Sequence, residues 1–146
     1  MQYTIYKNGV YQYNDSIDIC GYYEISMNDF NGDCFPDIQL DLRCGNNHTE
    51  SYVFIWNNTF NRFVNKINET FISFIKPNYF VSFNNNNVSE YQYDIYKILE
   101  DTSYIQLKSF LIFFDSSYMY AGDTIIFTNK PFEVIDEYIE KVKNTH

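Results

Sequence analysis

The chain has 146 residues, of which 45% are hydrophobic and 20% charged, and its formal net charge is −9, from 19 Asp+Glu against 10 Lys+Arg. This length and apolar content suit one β-rich domain spanning residues 1–146 with a real core, and they exclude an intrinsically disordered chain. The acid excess argues against nucleic acid or an anionic membrane as partner, and the longest apolar runs, such as Phe110 to Phe114, fall far short of the ~20 residues of a helical membrane span.

Fifteen Tyr and 14 Phe, with abundant Ile, supply strand-forming residues throughout. Gln2 to Lys7 and Val10 to Tyr13 alternate around Asn8-Gly9, a dipeptide that tolerates positive φ and marks a hairpin. Ser16 to Cys20 alternates, Gly21 breaks the run, and Tyr22 to Met27 reads as the next strand. Ile38 to Arg43 alternates with one wet face, Cys44 to His48 reads as a turn, and Ser51 to Trp56 is an apolar strand closed by Asn57-Asn58-Thr59. Between Asn65 and Ile75 the period is ambiguous, since Ile67, Phe71 and Phe74 fit a short helix that Pro77 would end. Tyr79 to Phe83 and Val88 to Leu99 read as strands about an Asn84–Asn87 turn. Tyr104 to Phe114, Tyr118 to Tyr120 and Thr124 to Thr128 complete the series. The tail changes period: Phe132, Ile135, Ile139 and Val142 recur at helical spacing after Pro131, with Glu133 early and Lys141 and Lys143 late. That order suits the helix dipole and predicts one amphipathic helix over 131–143. The expected class is therefore mainly β, with antiparallel sheets in a sandwich or small propeller-like body and one C-terminal α-helix.

The most specific stretch is Asp29-Phe30-Asn31-Gly32-Asp33-Cys34-Phe35-Pro36-Asp37. Oxygen-bearing side chains fall at its first, third, fifth and ninth positions, between two strands. Alternate residues of a tight loop point inward, so Asp29, Asn31, Asp33 and Asp37, with the Phe35 carbonyl, could supply the oxygens that a hard cation such as Ca²⁺ takes. Asn, Asp and Gly also populate turns for their own hydrogen bonding. Other chemistry is thin. Cys20, Cys34 and Cys44 leave one thiol unpaired, and with His48 they lack zinc-site spacing apart from Cys44-x-x-x-His48. The only histidines are His48 and His146, and no nucleophile or phosphate-cradling motif accompanies them.

The loop resembles the calcium loop of FG-GAP and integrin-type propeller blades, D-x-[DN]-x-D-G-x-x-D. With Pro36 to Leu40, Gly45-Asn46-Asn47, Tyr52 to Asn57 and Phe60 to Phe63, the likeness extends over residues 22–64 to a bacterial family of lysozyme inhibitors with one such loop. The resemblance implies Ca²⁺ held by Asp29, Asn31, Asp33, Phe35 and Asp37. This is conditional on Cys34, which stands where the pattern has a glycine at positive φ; Gly32 could take the bend instead. It also implies a non-catalytic inhibitor or immunity-type protein whose acidity suits a basic partner, a lysozyme-like hydrolase or a toxin. Turns at Asn46-Asn47-His48 and Asn84–Asn87 are the candidate contact loops, and a surface module stacking glycans on Tyr and Trp56 is the alternative. No basic start followed by an apolar stretch precedes Gln2 to Tyr6. The chain as written therefore reads as cytoplasmic, or as envelope or secreted if a signal was removed.

Overall fold

A computed structural model describes residues 2–7, 10–16, 21–44, 48–87, 89–100, 102–114 and 116–145. The protein is mainly β: open antiparallel sheets with one C-terminal helix, as the alternation and turn spacing imply. Contacts concentrate in two compact units, Met1–Glu69 and Thr70–His146. Among the described residues no helix is long and apolar enough to cross a membrane.

In the first unit, β1 (Gln2–Lys7) and β2 (Val10–Ser16) form a hairpin in which Gln2 lies opposite Ser16. The Asn8-Gly9 turn and the end of the Ser16–Cys20 run lie outside the described residues. A four-stranded meander follows: β3 (Tyr22–Asn28), β4 (Asp37–Cys44), β5 (His48–Asn57) and β6 (Arg62–Glu69), in the order β3-β4-β5-β6. Period-2 alternation puts Leu40, Leu42, Tyr52 and Phe54 on one face, where they form a core cluster with Ile38 and Phe63. Val53, Ile55 and Ile67 are buried as well, so β5 is apolar on both faces. Asn57 Oδ1 accepts the Phe60 N–H at 3.0 Å in the β5–β6 turn, and Asn61 takes a positive φ of 49° there. Asparagine tolerates that conformation better than most residues.

The second unit is a six-stranded meander, β7 (Phe71–Lys76), β8 (Tyr79–Asn87), β9 (Glu90–Ile98), β10 (Tyr104–Phe113), β11 (Tyr118–Ala121) and β12 (Thr124–Phe127), each paired to the next. Helix α1 (Pro131–Lys143) covers one face. Ile135 enters a cluster of Ile95, Phe110, Ile112, Met119 and Ala121, with Val134, Tyr138 and Ile139 at its margin. Asp136, Glu137, Glu140, Lys141 and Lys143 are exposed, as the helical period requires.

Three expectations from the sequence are corrected. Asn65 to Ile75 contains no helix; it is the end of β6 and most of β7, separated by Thr70 alone. The buried positions there are Ile67 and Ile72, while Phe71 is exposed, so the apparent helical spacing marks no common face. Asn84–Asn87 is not a turn but the end of β8, with Asn84 opposite Gln92 and Asn87 opposite Glu90. His48 opens β5 where a turn is expected, and residues 45–47 lie outside the described residues.

Candidate functional site

The loop from Asp29 to Pro36 joins β3 to β4 across the pairing of Asn28 with Asp37. It is built on hydrogen bonds that its own short acidic side chains accept. Asp29 Oδ1 accepts the N–H groups of Gly32 at 2.7 Å and Asp33 at 3.1 Å, and Oδ2 accepts that of Cys34 at 2.8 Å. Three successive amides thus grip one carboxylate, a nest of the kind that turned backbone offers to anions. Asp33 Oδ1 accepts the Phe35 N–H at 2.9 Å, and its Oδ2 accepts the Asn31 side-chain amide at 3.1 Å. Gly32 and Cys34 both have positive φ, 77° and 67°. Cys34 therefore adopts the conformation expected of a glycine, and the bend at Gly32 does not spare it. The Cys34 thiol is exposed.

Asp37 is of a different kind. It has no exposed surface, and it accepts the Phe30 N–H through Oδ2 at 2.8 Å and the Trp56 N–H through Oδ1 at 2.7 Å. It thereby ties the loop's first turn to the end of β5. Burial pushes its carboxyl up to about 7; the bonds from Trp56 and Phe30 oppose this, and the charge of Asp33 adds to it.

The structure therefore places Asp29, Asn31, Asp33, Phe35 and Asp37 on one loop, joins Asn31 directly to Asp33, and brings Asp33 close enough to perturb Asp37. Among the described residues, no three His, Cys, Asp or Glu side chains stand together as a ready metal cluster. The carboxylates are turned instead toward the loop's own amides. By chemistry the donor set is of the kind a hard cation takes: three carboxylates and a carboxamide, all oxygen donors. The charge of Asp33, which helps to raise the Asp37 carboxyl, is one that a divalent ion would offset. Bound there, such an ion would supply charge neutralisation and would brace the β3–β4 corner.

Of the zinc candidates, Cys20 lies outside the described residues, Cys34 sits in this loop, and Cys44 and His48 are backbone partners across β4 and β5. One polar group escaped the sequence reading. Asp41 accepts the Gln39 amide at 2.9 Å and the Ser51 hydroxyl at 2.5 Å, a part-buried network on the opposite face to the Leu40 cluster. Its signal was available, because Asp37, Gln39 and Asp41 alternate along β4.

Comparison of the chain with protein-family models, with curated proteins and with solved structures finds no match. The likeness to calcium-loop proteins therefore rests on the sequence of residues 22–64 alone.

Proposed function

We propose that the chain is a non-catalytic binding protein of inhibitor or immunity type that captures a basic enzyme, such as a lysozyme or a toxin, and that Ca²⁺ in the 29–37 loop braces it. The observation that carries this reading is the acid excess, a net charge of −9. Part of it is displayed on one surface: Glu133, Asp136, Glu137 and Glu140, with Lys141 and Asn144, line a shallow groove along α1. Glu133 and Glu140 are bonded to Lys130 and Lys143 at 2.8 and 2.6 Å, which leaves Asp136 and Glu137 as the acids of the groove outside those pairs. A surface of this sign steers a basic partner and rejects an acidic one. The alternative of glycan stacking loses its leading residue, because Trp56 is only 1% exposed and is packed edge-on against Phe63 at 5.2 Å.

The test is titration of purified lysozymes and basic toxins into the protein by calorimetry, at low and high salt. Capture that weakens steeply with added salt, and weakens again in Asp136→Asn/Glu137→Gln, supports the reading. Absence of binding to every basic hydrolase and toxin tried rejects it. The ion is tested separately, by a calcium-dependent rise in melting temperature that Asp33→Ala abolishes.

A further inference from the structure

We infer that β3 is the seam of a weak two-fold dimer, in which a second copy of the chain adds its own β3 antiparallel to the first and extends the sheet. β3 ends the order β3-β4-β5-β6, so one of its edges is paired to β4 and the other has no strand beside it among the described residues. Tyr23, Ile25 and Met27 are 50%, 60% and 62% exposed. They lie directly opposite Leu42, Leu40 and Ile38, on the face that holds the Leu40–Phe54 cluster. The apolar layer of that face thus runs out to the edge strand and stops in the open.

Edge strands are usually blunted by Lys, Pro or a bulge. β3 reads Tyr-Tyr-Glu-Ile-Ser-Met-Asn and pairs with β4 without a register shift. It has none of these devices.

The occupant is identified by symmetry and charge. A two-fold axis through Ile25 sets Ile25 against itself, Tyr23 against Met27, and Glu24 against Ser26. Tyr23, Ile25 and Met27, the three apolar residues exposed on that face, then each meet an apolar one, no like charges stand directly opposite, and the same patch serves both copies. The Glu24 charge is offset within each copy by Arg43 at 3.9 Å. A strand from a basic partner would gain little from so neutral a seam. Two copies of net charge −9 repel at long range, so this dimer tightens as salt screens that repulsion. One strand from each side buries less than the roughly 1,200 Å² of a standard interface, which puts the dimer in the weak, transient class. The inference is independent of the capture reading, whose salt dependence has the opposite sign.

Sedimentation velocity of the intact chain, across a wide concentration range at low and high salt, tests it. The expected result is a reversible monomer–dimer equilibrium that strengthens with salt and weakens at least about tenfold in Ile25→Lys, a change of some 1.4 kcal/mol. Circular dichroism checks that the variant stays folded, since Ile25 is largely exposed. A charge swap fixes the register: Tyr23→Lys and Met27→Glu each weaken the dimer, and the double variant recovers most of the loss, because each new charge faces its opposite across the axis. A protein that stays monomeric throughout overturns the inference. So do a dimer indifferent to Ile25→Lys, a double variant that recovers nothing, and a basic enzyme that docks on β3 of a monomeric protein.

Discussion

Asp37 accepts amides from both of its neighbouring segments while having no contact with water. Its folded-state carboxyl, raised to about 7 from 3.8, holds a proton that the unfolded chain has released. The folded state thus binds more protons between those two values. The stability from this group is complete below the lower one and is lost as pH rises through the upper, by up to ~4 kcal/mol for a shift of about three units. Urea unfolding at a series of pH values should show that decline in the native sequence and its loss in Asp37→Asn. Added Ca²⁺, which favours the ionised carboxylate, should flatten it. At Cys34, a positive φ of 67° costs a side-chain-bearing residue about 1–2 kcal/mol. Cys34→Gly should therefore raise the melting temperature, and it should sharpen any response to Ca²⁺. The spacing of Asp29, Asn31, Asp33 and Asp37 made the loop legible in the sequence, and the pattern's missing glycine made the conformation of Cys34 legible too. The sequence could not show that Asp37 spends its oxygens on the amides of Phe30 and Trp56, because the second lies 19 residues away.

Among the elements, α1 was the plainest. Pro131, the Glu133-to-Lys143 charge order and an apolar repeat all agree, and the helix spans the residues that those signals delimit. Ile135 is 3% exposed within the β-sheet cluster, whereas Phe132 is 44% exposed. Ile135→Ala should cost about 2–4 kcal/mol, and Phe132→Ala much less, as denaturant midpoints would report. The β6–β7 region was misread because Ile67, Phe71 and Phe74 fall by coincidence at helical intervals. Strand pairing, with Val53 opposite Ile67 and Ser82 opposite Ile72, overrides that local pattern. The Asn84–Asn87 run was misread for the opposite reason. Asparagine is a turn former by propensity, yet here the strand continues through the run, because Tyr91 and Gln92 across the hairpin give those residues partners.

For the whole molecule, composition was enough to give the class: aromatic and β-branched alternation means sheets, and the change of period at Pro131 means a helix. The division at Glu69/Thr70 was invisible, because no Gly-, Pro- or Ser-rich stretch marks it and a single residue separates β6 from β7. The clamp at Asp37 has a further effect. Its bond to the Trp56 amide joins residues 19 apart and forms only where the ends of β4 and β5 come together, unlike the local bonds within the loop. An ion that binds the finished loop stabilises the native state more than the barrier leading to it. In a stopped-flow chevron, Ca²⁺ should lower the unfolding limb and leave the refolding limb where it was. The loop would then act as a latch, slowing the escape of a folded chain without guiding an unfolded one.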